Sequence, residues 1–327
     1  MTALVVCGAI NWDISCFVDH LPAPGEEVVV RRIRCVSGGT GGNVAVAAAR
    51  ILGANNVALI GALGNDDIAE RQIAILEAEG VITEAIARIP GEESGQAYIF
   101  IDRAGQNIIF SHLGANARLS TGPLDNVEAK GHLEKCRGIV LTDPPLEVAC
   151  KLIEVAKERG IPLLWDPGIL INQYAAALKR LISQVEVVFL NETEASALLG
   201  SEDQVTSLRH LKSLEVRNCV VLKLGSRGAM VVDFARSKMI RIPALPVRQL
   251  GLEVVNTVGC GDAFAGVFAA YYIMSSDVGR AVTMASVAAG LNATREETRG
   301  SPDRATLEEM LNRSLALGFA IHCCELI

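Results

Sequence analysis

The chemistry of this chain gathers where glycines precede an acid. In Asn256-Thr257-Val258-Gly259-Cys260-Gly261-Asp262-Ala263-Phe264-Ala265-Gly266, two glycines bracket one residue, an aspartate follows, and an uninterrupted helical pattern (AFAGVFAAYYIM) begins. Glycines at a helix start let the backbone turn its N–H groups inward, where the helix dipole also favours an anion. Such a cradle suits a phosphoryl group whose charge spreads in the transition state. The adjacent carboxylate, Asp262, could take the proton of an attacking hydroxyl. It could equally be a helix cap after a glycine turn, and spacing alone leaves both readings open.

Two further glycine clusters accompany it. Ser37-Gly38-Gly39-Thr40-Gly41-Gly42-Asn43 runs into a helical pattern, but Val44 stands where a dinucleotide motif needs its last glycine. These glycines could let a polyhydroxylated ligand approach the backbone, with Asn43 offering both donor and acceptor; a tight strand-to-helix turn is the alternative. Lys223-Leu224-Gly225-Ser226-Arg227-Gly228 follows a strand and combines glycines with cations, which suits a nucleotide polyphosphate or, taken alone, an ordinary hairpin. No Walker-type G-x-x-x-x-G-K-[ST] occurs.

Loops of this kind act only when rigid elements hold them. Strand-length apolar runs at 4–8, 57–60, 139–142, 163–165, 187–190, 220–223 and 230–233 alternate with helical patterns at 43–52, 66–79, 146–159, 173–183, 261–275 and 278–295. Short buried strands separated by helices predict right-handed βαβ units: an α/β fold with a mainly parallel central sheet covered by helices on both faces. Residues 14–36 and 96–112 break the rhythm. They read as β-ribbons, the second turning at Asp102-Arg103-Ala104-Gly105, and neither is followed by its own helix. They are expected to form a small inserted sheet, a lid on a single domain spanning 1–327.

Bulk properties exclude several classes. The net charge is −7 with both signs interspersed, so nucleic-acid binding is not expected, and no apolar run is long enough for a membrane span. The opening MTALVVCGAINWD reads as a first strand and not a signal peptide, which predicts a cytoplasmic protein. Nine cysteines show no C-x-x-C spacing and the five histidines no H-x-x-x-H pair, so neither disulfides nor a structural metal is expected.

The order of these segments resembles the ribokinase-like (phosphofructokinase-B) sugar and nucleoside kinases. Gly-Gly-x-Gly-Gly-Asn at 38–43 looks like that family's first signature, and Asn-Thr-Val-Gly-Cys-Gly-Asp at 256–262 like its second. Asp13 at the end of the first strand, Asn116 after the second ribbon, Asn191-x-x-Glu194 and the stretch 284–295 agree. The resemblance implies a kinase with Asp262 as base and the N–H groups of Gly259, Cys260 and Gly261 as anion hole. Asp13, Gly39, Thr40, Gly42, Asn43, Asn116, Asp143 and Asp166 would hold the acceptor. Asn191, Glu194, Lys223, Gly225, Ser226, Gly228 and Asn292 would hold the nucleotide, ATP or ADP, with magnesium reached from Glu194 through water and phosphate. It also implies a homodimer joined through the lids. Asn256 stands where the family's usual aspartate is a monovalent-cation ligand, so a potassium site does not carry over.

The segments at 142–145 and 165–168 resemble archaeal nucleoside kinases, which favours a nucleoside acceptor, with ribose 1-phosphate or another sugar as rival. Two other classes fit less well. A nicotinamide oxidoreductase would need a true G-x-G-x-x-G turn, and a non-catalytic sensor would have no use for Asp262.

Overall fold

Apolar runs too short for helices become strands buried on both faces. The computed structural model describes residues 2–104, 106–200 and 211–325; Gly105, in the expected ribbon turn, lies outside them. The strands in chain order are β1 (Leu4–Cys7), β2 (Asn11–Phe17), β3 (Arg32–Gly38), β4 (Val57–Leu63), β5 (Val81–Ile82), β6 (Ile86–Arg88), β7 (Gly95–Ile101) and β8 (Asn107–His112). They continue as β9 (Ile139–Leu141), β10 (Leu163–Trp165), β11 (Val187–Asn191), β12 (Cys219–Lys223), β13 (Ala229–Asp233), β14 (Lys238–Ile242) and β15 (His322–Glu325).

Among the described residues, one sheet of 11 strands runs β15-β14-β13-β12-β11-β10-β9-β1-β4-β5, with β6 beside β4. It is parallel from β12 to β5 and antiparallel only at the β13–β15 edge. Alternate residues of one strand enter different cores: Leu4 and Val6 pack on one face, Val5 and Cys7 on the other. This is the three-layer α/β arrangement that the alternation of patterns predicts. Of the antiparallel edge, β13 lies on the expected strand 230–233, whereas β14 and β15 have no counterpart among the expected strands; all four β15 residues are exposed and carry no apolar pattern. The helix Arg304–Leu315 has no counterpart among the expected helices either.

Strand order reverses at β1, whose neighbours are β4 and β9, and open α/β sheets bind ligands at the carboxyl ends beside such a reversal. Asp143 follows β9, Asp166 follows β10, and Asn191 and Lys223 end the paired strands β11 and β12. Topology thus brings four separate acids, amides and cations to one rim.

The helix Thr40–Leu52 starts three residues before the expected 43, because Gly41 and Gly42 form its first turn, donating their N–H groups to Ala9 O (3.0 and 3.2 Å). A Cβ on Gly41 would sit 2.5 Å from the Gly8 backbone, so only glycine fits there. The helix Cys260–Ser275 packs against it through Gly266, where a Cβ would lie 2.5 Å from Val44 O. Phe264 and Phe268 anchor the same helix on Phe189 of β11, with ring centroids 6.3 and 5.2 Å away.

The ribbons form a second sheet of four strands in the order β3-β2-β7-β8, with β2 and β7 parallel. Period-two alternation sends Asp13, Arg34 and Val36 to one face and Ile33, Tyr98, Ile108 and Phe110 to the other.

Candidate active site

The two helices meeting at Gly266 bring Asn43 to Asp262. Asn43 Nδ2 donates to Asp262 Oδ2 at 2.8 Å, joining the two glycine signatures across 219 positions. Asp262 lies in the first turn of its helix, where N–H groups have no intrahelical partner. The Ala263 N–H returns to Gly259 O, and that of Cys260 makes a long 3.3 Å turn bond to Thr257 O. Gly259 is left-handed (φ 78°), and a Cβ there would lie 2.1 Å from Thr298 O. Gly261 differs: the nearest atom to a Cβ would be Lys223 Nζ at 3.5 Å. One glycine makes the turn, and the other keeps its mouth open.

Charges converge on this mouth. Lys223 Nζ pairs with Asp166 Oδ2 at 2.5 Å. Burial works against the Lys223 charge, but Asp166 and Glu194 carry its pKa above the usual range. Asn191 and Glu194 form a capping box on the helix Glu192–Leu199, each side chain bonded to the other's N–H at 2.8 Å. Burial and the Asp166 charge raise the Glu194 carboxyl, and Lys223 pulls it back. Burial pushes the Asp262 carboxyl up to about 6, against the Asn43 hydrogen bond. Asp13 is pushed up to about 7, again chiefly by burial, with Arg299 opposing.

Beside Lys223 and Gly261 opens a cleft of about 550 Å³ lined further by Gly225, Ser226, Gly228 and Leu245. Its size suits a nucleotide. Cys260 also lines it, whereas Asn191, Glu194 and Asn292 do not. Asn292 Nδ2 donates to Val258 O at 3.2 Å, so it braces the glycine turn from behind.

Among the residues expected to hold the acceptor, Asp143 Oδ1 accepts from Thr40 Oγ1 (2.6 Å), Thr142 Oγ1 (2.9 Å) and the Ala9 N–H (3.1 Å). Asn116 has both ends of its amide on the β1–β2 link: Oδ1 accepts from the Ile10 N–H and Nδ2 donates to Ile10 O and Asn11 Oδ1. Both side chains therefore fasten the loop that leads into β2, the strand of Asp13. Gly39 is left-handed (φ 85°) and gives the same loop room: a Cβ there would lie 2.5 Å from the Asn11 nitrogen.

Arg299 belongs to the same cluster, yet no motif points to it. Its Nε donates to Asn43 Oδ1 at 2.9 Å and its Nη2 to Gly38 O at 2.8 Å. A Cβ on Gly42 would lie 2.3 Å from Nη2, so the fourth glycine of the first signature is the space Arg299 occupies.

Two ions are to be weighed. Glu194, the residue expected to reach magnesium, offers a hard oxygen donor of the kind that ion prefers. A monovalent cation does not fit at Asn256: its Oδ1 accepts from the Val258 N–H (3.0 Å) and its Nδ2 donates to Glu296 O (3.1 Å). A neutral N–H group already spans the two loops there.

Residues 1–304 match the sequence profile described as pfkB family carbohydrate kinase. The chain is 31% identical over 305 residues to a deoxyribokinase of Salmonella typhi, a match covering 91% of this chain and 94% of that one. It is 29% identical over 304 residues to an ATP-dependent ribose-1-phosphate kinase of Halopiger xanaduensis, covering 92% and 95%. A solved ribokinase structure from Thermotoga maritima aligns with a TM-score of 0.80 at 27% identity, over 95% of this chain and 100% of that one.

Proposed function

This chain belongs to the pfkB family of carbohydrate kinases, and from that premise we propose that it moves the terminal phosphoryl group of ATP onto a hydroxyl of a ribose-ring acceptor. The observation that carries the reading is the Asn43–Asp262 hydrogen bond beside the open glycine turn. Asn43 holds one carboxylate oxygen of Asp262 and leaves the other free for the acceptor hydroxyl. As the acceptor's hydroxyl oxygen attacks phosphorus, its proton passes to Asp262 and the bond to the departing nucleotide breaks. The unpaired N–H groups at Gly261 and Asp262, with Lys223, face the spreading charge. Glu194 would hold magnesium through water and phosphate, and the ion would neutralise the nucleotide's charge. A sensor needs no half-buried, proton-hungry carboxylate at this point, so catalysis explains the site better.

A free or 1-phosphorylated pentose now ranks ahead of the nucleoside that the 165–168 segment favoured. Trp165 is fully buried and its Nε1 donates to Thr142 O at 3.0 Å, so that ring braces the core and offers no face to a base. The relatives matched over nine-tenths of the chain, 91% and 92%, carry pentose names. A phosphoryl-transfer screen with magnesium tests this, offering ATP and ADP separately against ribose, 2-deoxyribose, ribose 1-phosphate, fructose 6-phosphate and inosine. Turnover of a pentose supports the reading, and turnover of inosine alone moves the acceptor to the nucleoside class. No turnover with any pair, despite ligand binding, restores the sensor.

The four-stranded sheet would serve as lid, since Asp13 lies on its inner face. Its outer face exposes Ile33 (61%), Tyr98 (37%), Ile108 (41%) and Phe110 (59%), an apolar stripe that a second copy would cover. Sedimentation is expected to show a dimer for the natural chain and a monomer for Ile108→Lys/Phe110→Lys. A monomer in both cases removes the lid-to-lid assembly.

A further inference from the structure

We propose that Arg299 is a positioning residue that fixes which end of the Asn43 amide faces Asp262 and ties that choice to the lid strand β3. The proposal rests on the kinase reading of the site. An amide can present either its oxygen or its nitrogen, and a guanidinium only donates. Arg299 Nε, 2.9 Å from Asn43 Oδ1, therefore commits the oxygen and sends Nδ2 to the Asp262 carboxylate, 2.8 Å away. Flipped, the amide would set its carbonyl against the carboxylate and repel the ionised base.

The second anchor gives the relay its other end. Arg299 Nη2 donates to Gly38 O, the last residue of β3. The same loop is gripped again from that strand: Arg34 pairs with Glu296 (2.8 Å) and Glu297 (2.9 Å). Thr298 O meanwhile sits against Gly259, the turn of the phosphoryl cradle. Residues 296–299 thus touch the lid, the base's amide and the anion turn. Arg299 is only 9% exposed and its Nη1 has no hydrogen-bond partner among the described residues. Such burial is costly for a cation unless its contacts matter.

The charged groups facing Asp262 are Asp166 after β10, Asp143 after β9, Lys223 of β12 and, more remotely, Asp13 of β2 and Arg299 itself. Cys260 stands beside it on its own helix. Losing Arg299 removes a cation and the amide's orientation together, so the base becomes harder to ionise.

The test is a double-mutant cycle with MgATP and ribose, 2-deoxyribose or inosine as probes. Arg299→Met is expected to lower kcat about 10–100-fold with the nucleotide KM within threefold, and to move the acid limb of the kcat profile upward. Arg299→Lys, which still donates to Asn43, should restore most of both. In an Asn43→Leu background, Arg299→Met should cost far less, since only the effect of its charge remains to be lost. Full multiplicative loss in that background, or an unmoved acid limb, overturns the inference while leaving the kinase reading intact. If the natural chain turns over none of the probes, the reading fails separately. The carboxyl carbon resonance of Asp262 then decides the inference alone: its titration midpoint rises in Arg299→Met if the relay exists, and an unchanged midpoint refutes it.

Discussion

Replacing Asp262 by asparagine is expected to lower kcat about 10²–10⁴-fold while the acceptor and nucleotide still bind, because general-base assistance is worth that much when the base is held in place. The substitution is nearly isosteric and keeps an oxygen for Asn43 Nδ2 to donate to, so the geometry around Gly259 and Gly261 should survive. The same change should stabilise the fold. Burial raises the Asp262 carboxyl to about 6, so between the ordinary aspartate range and pH 6 the folded chain keeps a proton that the unfolded chain has released. Stability of the natural chain therefore falls as pH rises through this window, and above it the ionised carboxylate carries the full cost of burial. The variant has no such group. It should be about 1–3 kcal/mol more stable at pH 8 and equal to the natural chain below pH 4. For the natural chain, kcat should rise with pH through about 6 as the base ionises. Thermal melts at both pH values and a kcat profile check the two halves. Unchanged turnover in Asp262→Asn would remove the base, and a variant less stable at pH 8 would show that the ionised carboxylate is kept to stabilise the first turn of its helix.

What the sequence could show followed from how each feature is encoded. The βαβ alternation is local, so 146–159, 163–165 and 261–275 appear as elements within a residue or so of their observed bounds. The glycine signatures are local too, and their clusters do reach the site. Arg299 could not be found this way, because its meaning lies in the missing side chain of Gly42, 257 positions earlier, and in an amide that only the packed helices bring near. The only local hint was a fourth glycine that a simple turn does not require. Asn116 and Asp143 show the reverse. Their types suit sugar hydroxyls, but most of their hydrogen bonds go to the loop that leads into the strand of Asp13, which spacing cannot reveal.

The two glycines of the second signature should separate fold from chemistry. Gly259→Ala is expected to do damage on both counts. An L residue at φ 78° costs roughly 1–2 kcal/mol, and its Cβ would lie 2.1 Å from the Thr298 carbonyl, a backbone atom that must move. Moving it displaces the turn by a fraction of an ångström to an ångström, enough to cost about 10²-fold in rate. Gly261→Ala meets no such obstacle. The position is already helical, alanine favours a helix by about 1 kcal/mol over glycine, and the new methyl would touch only the tip of Lys223 at 3.5 Å. Its melting temperature should match or exceed that of the natural chain. Yet the methyl points into the mouth between Lys223 and the helix N-terminus, where the proposed reaction puts the transferring phosphoryl group, so turnover should fall about 10–100-fold. Melting curves and steady-state rates on both variants decide the matter. A stable, fully active Gly261→Ala would mean that no anion passes over this helix end, whereas a stable and inactive one can be explained only by a ligand that needs the space glycine leaves.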